Sequence, residues 1–130
     1  MTPPLGFRFS AAYAGIRKVA QDDLALMVSD RTAAAAAVFT TNRVRAAPLV
    51  VSARYLAETR GRCRAIVANA GNANCATPNG ERAAQATARA AARLLQVREP
   101  EVLLASTGVI GAPLDASLIT RALQIGRAHV

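Results

Sequence analysis

Few residues in this chain could carry chemistry. The clearest group is Ser106-Thr107-Gly108, which follows the apolar run Val102-Leu103-Leu104-Ala105 and precedes Val109-Ile110-Gly111. A strand that ends in Thr and Gly can point a hydroxyl and a backbone N–H at one spot, the arrangement that stabilises a carbonyl oxygen as it turns negative. The same residues suit a plain turn in which Gly takes a positive φ and Thr caps the neighbouring backbone, and spacing alone favours that simpler reading. The second group is Asn69-Ala70-Gly71-Asn72-Ala73-Asn74, opening a loop that runs on through Pro78 to Gly80. Its amides could line a pocket for a polar substrate or satisfy their own backbone through Asx turns, and again the second reading is the simpler.

Other chemistries are poorly served. The single histidine, His129, is next to last in the chain, too close to a terminus to act as general base in a cleft. The carboxylates Asp22, Asp23, Asp30, Glu58, Glu81, Glu99, Glu101 and Asp115 fall mostly at expected turns and helix starts, where caps and solvated surface explain them. Cys63 and Cys75 have neither CxxC spacing nor partner histidines, so no metal site or disulfide framework is expected and the compartment reads as reducing. Neither GxGxxG nor GxxxxGK[ST] occurs, so no nucleotide cofactor is indicated. The net charge of +8 invites a nucleic-acid reading. The arginines, however, are scattered from Arg8 to Arg127, clustering only at Arg60, Arg62 and Arg64 with no stacking aromatics beside them, which argues against it.

These groups need a scaffold to position them. With 130 residues the chain is long enough for one domain that buries roughly two-thirds of its unfolded surface. Hydrophobic residues at 52% against 18% charged exclude a disordered chain, and the apolar runs are too short to span a bilayer. Only 4% of residues are aromatic and many of the rest are Ala, so the core must come from thin side chains on closely approaching elements. The start, Met1-Thr2-Pro3-Pro4-Leu5-Gly6, lacks the pattern of a secretory signal, so the cytoplasm is expected.

The segment from 23 to 41 predicts a two-stranded hairpin turning at Ser29-Asp30-Arg31-Thr32, with its second strand ending in Val38-Phe39-Thr40-Thr41. Pro48-Leu49-Val50-Val51 reads as strand, followed by a short helix over 53–59 that Gly61 stops. Arg64-Ala65-Ile66-Val67-Ala68 reads as a buried strand that leads into the Asn loop. Arg82, Gln85, Arg89, Arg93 and Gln96 recur at helical steps opposite Ala84, Ala88, Ala91 and Leu95, which predicts a helix. The run 102–105 reads as strand, and Asp115 as the cap of a last helix through Leu123. Hairpins mixed with helical returns indicate an α+β or mixed layered sandwich.

Taken in order, Gly6-Phe7-Arg8, Gly15-Ile16-Arg17-Lys18, Asp23-Leu24-Ala25-Leu26, Val38-Phe39-Thr40-Thr41-Asn42, the Asn69–Asn74 run and Ser106-Thr107-Gly108-Val109-Ile110-Gly111 resemble the ornithine acetyltransferase family. These are the bifunctional glutamate N-acetyltransferases of arginine biosynthesis, and the likeness covers the chain from Gly6 to about Leu118. The resemblance implies a four-layer αββα fold, incomplete in this piece, and acetyl transfer from N-acetylornithine, or from acetyl-CoA, to glutamate without a cofactor. It implies self-cleavage that frees a threonine amine on a second, beta chain, a nucleophile that is its own base. It also implies an assembly of two alpha and two beta chains, with no nucleic-acid or membrane partner. Thr107 and Gly108 match the family's oxyanion pair.

The sequence stops before the segment where the cleavage site and nucleophile should lie, and Thr40, Thr41 and Thr120 sit in no matching context. Residues 1–124 therefore read as the leading part of the first, alpha chain, inactive alone. Residues 125–130, Ile125-Gly126-Arg127-Ala128-His129-Val130, read as a non-native tail of the kind a translated sequencing adaptor would give. Two alternatives stay open: a self-processing aminopeptidase of similar fold, and a small basic nucleic-acid-binding module. Substrate-binding positions are not assigned.

Overall fold

The computed structural model describes residues 2–125. In chain order these form β1 (Phe7–Ala12), β2 (Leu24–Ala34), α1 (Ala47–Thr59), β3 (Arg62–Asn69), α2 (Gly80–Leu95), a short 3-10 turn at Glu99–Glu101, β4 (Val102–Ser106) and α3 (Ala116–Ile125). The strands make one mixed sheet in the order β1-β2-β3-β4, antiparallel across the first two pairings and parallel between β3 and β4. Parallel neighbours need a long return, which α2 supplies.

Strand alternation assigns the two faces of the sheet. Leu24, Leu26 and Val28 of β2, Ala65 and Val67 of β3, and Val102 and Leu104 of β4 point one way and are buried. Against them lie Val51 and Tyr55 of α1, Ala84, Ala88, Ala91 and Ala92 of α2, and Ile119 and Leu123 of α3. The sheet brings the branched side chains and α2 brings alanines, so the thin core expected from composition is present. The other face carries Phe9, Met27, Ile66 and Leu103 in register, with Phe9 exposed, Met27 and Ile66 half-buried and Leu103 buried. This α+β arrangement is one helical layer on one sheet.

The edge at β4 is closed from the side. The Ser52 hydroxyl on α1 donates to the Leu104 carbonyl at 3.0 Å and accepts from the Leu104 N–H at 2.9 Å, satisfying both backbone groups on the strand's unpaired side.

Three expectations need correction. The hairpin over 23–41 is a single strand, β2, followed by irregular chain. Ser29, Asp30, Arg31 and Thr32 do not turn; they bulge, standing against Arg64 alone between the pairs Val28–Ala65 and Ala33–Cys63. Arg64 makes the bulge possible by donating to the carbonyls of Ser29 at 3.0 Å and Asp30 at 3.4 Å. Second, Pro48-Leu49-Val50-Val51 is helical: Pro48 sits in the first turn of α1, where its fixed φ fits and its missing N–H is no loss. Burial of Val51 under the sheet then overrides the β preference of two valines. Third, β1 stands at 7–12, where the sequence pattern assigns no element. The other elements stand where the sequence puts them, and the carboxylate of Asp115 accepts the Ser117 N–H at 3.0 Å at the start of α3. The tail expected over 125–130 lies, beyond Ile125, outside the described residues, and so does His129.

Candidate functional site

Because β3 and β4 run parallel with Asn69 opposite Ser106, the Asn loop and the Thr-Gly turn leave the sheet side by side. Backbone bonds then continue the ladder beyond both strands. The Thr107 N–H donates to the Asn69 carbonyl at 3.0 Å, the Val109 N–H to Gly71 at 3.4 Å and the Ala73 N–H to Val109 at 2.9 Å. Gly108 sits between them at φ +131°, and a Cβ there would fall inside the backbone of Gly71 and Asn72. Only glycine fits, for want of room as well as for its φ.

The asparagines hold this corner together. Asn69 donates from Nδ2 to the Asn72 carbonyl at 2.9 Å and accepts the Ser106 hydroxyl at 2.5 Å. Asn72 accepts the Asn74 N–H at 2.7 Å and donates to the carbonyls of Ala112 at 3.0 Å and Pro113 at 3.3 Å. Asn74, 1% exposed, donates to the Gly80 carbonyl at 2.9 Å and leaves Oδ1 without a partner among the described residues. Of the two readings of this loop, the geometry selects the structural one. The loop does adjoin Thr107 and Gly108, but its amide groups face neighbouring backbone.

Thr107 and Gly108 themselves are exposed, and neither the Thr107 hydroxyl nor the Gly108 N–H has a partner among the described residues. Two free donors thus stand on adjacent residues of a turn whose backbone is fixed from both sides.

Most carboxylates play the roles expected of surface groups. Asp30 pairs with Arg8, Glu81 with Arg54, Glu99 with Arg89 and Glu101 with Arg98. Asp23 is the exception that the sequence did not reveal. It is buried, and its carboxylate accepts the N–H groups of Ala14 at 2.6 Å, Ile16 at 2.7 Å and Arg17 at 2.9 Å. Burial alone would raise its pKa; the backbone N–H groups of Arg17, Ala14, Ile16 and Gly15 outweigh that and hold it below the ordinary value. The available signal was an Asp directly before an apolar strand, downstream of the glycine at position 15. Cys63 and Cys75 are free and buried, and burial pushes the Cys63 thiol up, away from nucleophilic use. Among the described residues, no three His, Cys, Asp or Glu side chains gather as a metal site, and no helix is long and apolar enough to cross a membrane.

The fold and the turn define a layered α+β protein that offers a fixed donor pair at the C-terminal end of its parallel strands. The chain belongs to the ArgJ family, whose family model matches residues 8–129. It is 50% identical over 115 residues to the arginine biosynthesis bifunctional protein ArgJ of Geobacter sulfurreducens, covering 88% of this chain and 29% of that protein. It is 44% identical to the glutamate N-acetyltransferase of Methanocaldococcus jannaschii, covering 92% of this chain and 28% of that one. The chain thus spans a little under a third of the curated relatives it matches. Its fold superposes with a TM-score of 0.86 on the crystal structure of ornithine acetyltransferase from Mycobacterium tuberculosis complexed with ornithine, at 37% identity over 98% of this chain and 66% of that one. The crystal structure of ArgJ from Bacillus halodurans also gives 0.86, at 32% identity over 92% of this chain and 62% of that one.

Proposed function

We propose that residues 1–124 are the leading part of the alpha chain of a cytoplasmic glutamate N-acetyltransferase of arginine biosynthesis, with Thr107 and Gly108 as its oxyanion hole. The observation that carries this reading is the exposed, unpartnered donor pair on a turn that its glycine packing holds rigid. Membership of the ArgJ family supports the reaction class. In this reading a threonine on a second chain, outside this sequence, attacks the acetyl carbonyl of N-acetylornithine. The Thr107 hydroxyl and Gly108 N–H donate to the oxygen of the tetrahedral intermediate, and its collapse expels ornithine as the free amine and leaves acetyl-threonine. Attack by the glutamate amine passes through the same hole and yields N-acetylglutamate. The nucleophile's own α-amine moves the protons, so neither histidine nor cofactor is needed. Acetyl-CoA is a further donor candidate, and two alpha with two beta chains are the expected assembly. The isolated chain, lacking the nucleophile, is inactive.

The test is to sequence the reading frame through position 125, express the full-length protein and follow it by mass spectrometry. A cut before a threonine, with an acetyl group retained on the new chain after N-acetylornithine is added, is the expected result. Release of the acyl group to water, with none passed to glutamate, would instead select the aminopeptidase alternative. A natural frame that ends here would overturn the transferase reading.

A further inference from the structure

We propose that Asp23 is a positioning residue for the Thr107–Gly108 donor pair, acting through the turn at 14–17 and the backbone of Gly71. The proposal rests on the oxyanion reading above and deepens it.

Asp23 sits at a junction. Its own N–H donates to the Ala12 carbonyl at 3.1 Å, and its carbonyl accepts the Ala70 N–H at 2.8 Å, so its backbone ties the end of β1 to the start of the Asn loop. Its carboxylate gathers the N–H groups of Ala14, Ile16 and Arg17 and folds the 14–17 turn back over that loop. The Tyr13 hydroxyl braces the same turn by donating to the Arg17 carbonyl at 3.1 Å.

The turn then backs Gly71. At φ +97°, a Cβ on Gly71 would stand 2.8 Å from Arg17 Cγ, 3.1 Å from Ile16 Cγ2 and 3.2 Å from the Arg17 nitrogen. Gly71, with Asn72, is also the surface against which Gly108 packs. Three segments are therefore stacked without an intervening side chain on either glycine: the turn, the Asn loop and the donor turn. A displacement of the first has little to absorb it before it reaches the Gly108 N–H, and a donor misplaced by ~1 Å can cost ~10²-fold in rate. A carboxylate suits this task because it is acceptor-only on both oxygens, whereas an amide would turn one donor toward the N–H groups.

The experiment uses the full-length protein with N-acetylornithine and glutamate. Asp23→Asn is expected to lower kcat ~10–100-fold while KM changes less than ~3-fold, and Asp23→Glu to restore part of the loss. Thr107→Ala alone is expected to lower kcat ~10²–10³-fold. The double variant Asp23→Asn/Gly108→Ala should fall no further than Gly108→Ala by itself, because the N–H that the turn positions is already displaced. Multiplying losses, or full activity in a folded Asp23→Asn protein, would overturn the proposal and leave the oxyanion reading standing. A silent Thr107→Ala would overturn both. Should Asp23→Asn fail to fold, Ile16→Ala thins the wall behind Gly71 with Asp23 intact. The same kcat loss and the same non-additivity with Gly108→Ala are expected of it, and additive or absent effects count against the proposal.

Discussion

The two polar regions of the sheet differ in what their polar groups are for. Where β3 and β4 end, Asn69, Asn72 and Asn74 are buried and bond almost wholly to backbone. At the bulge of β2, the polar run 29–32 is mostly exposed and is held by arginine side chains, Arg64 on its carbonyls and Arg8 on Asp30. Buried hydrogen bonds to backbone leave groups unpaired when one partner is removed, whereas exposed ion pairs are replaced by water. Rigid backbone at the first region, with two donors left free, suits the oxyanion role proposed for Thr107 and Gly108. The second is a repair in a strand. Substitutions at the two should therefore differ in kind as well as in size.

The largest effect is expected at Gly108→Ala in the full-length protein. The added methyl must displace the backbone of Gly71 or Asn72 and also occupies a φ that L side chains rarely adopt. We expect kcat for acetyl transfer to fall at least ~10²–10³-fold, the loss of one oxyanion donor. Steady-state kinetics with N-acetylornithine and glutamate check it, and near-normal turnover would mean that the rigid corner does not serve catalysis.

Asn72→Ala comes next and acts on stability. It strips the partner from the buried Asn74 N–H and from the part-buried carbonyls of Ala112 and Pro113, so a loss of about 1–3 kcal/mol is expected. Asn79→Ala is its control. Asn79 belongs to the same Asn-rich loop but is exposed and makes no cap bond at the start of α2, so its change should stay within about 0.5 kcal/mol. Denaturant unfolding of the two variants side by side distinguishes asparagine as a structural tie from asparagine as loop filler.

The same contrast explains what the sequence could disclose. The strands at 64–68 and 102–105 and the helix from 82 are legible because alternation and helical spacing are local. The Asn loop and Ser106-Thr107-Gly108 are legible as candidates because their residue types tolerate unusual backbone. Choosing between pocket and scaffold for the asparagines was not possible, since the deciding partners, Ala112 and Pro113, come from a distant turn. The bulge failed for a similar reason. Ser29-Asp30-Arg31-Thr32 has turn composition, and only Arg64 on the neighbouring strand shows that the chain continues. In sequence Asp23 looks like one more turn carboxylate, because its partners at 14–17 become visible only once β1 and β2 pair.

Acid should expose Asp23 without any substitution at the donor turn. Its folded pKa lies below the unfolded value of about 3.9, so its stabilisation is fully present above that value and is lost as pH falls through the folded one. Asp115, also held low, by the Ser117 hydroxyl and N–H, titrates equally in wild type and Asp23→Asn and cancels between them. The gap in melting midpoint between the two proteins should therefore be constant from neutral pH down to about pH 4 and close below it. A gap that widened in acid would mean that the carboxylate is not the form the turn requires.

The smallest effect is expected at the bulge, and it makes the comparison quantitative. Arg8 Nε lies 2.8 Å from Asp30 Oδ1 with both side chains about half exposed, 50% and 51%. Geometry this short would suggest a strong pair, but solvent screens both charges and holding two long side chains offsets much of the gain. A double-mutant cycle over Arg8→Ala and Asp30→Ala should return a coupling of about 0.2–1 kcal/mol. It should fade toward zero in 1 M salt, where the screening length is about 3 Å. A coupling above about 2 kcal/mol that survives salt would place the bulge with the buried corner rather than opposite it. Arg8 and Asp30 would then hold β1, and through it the start of the 14–17 turn, as firmly as the asparagines hold the donor turn.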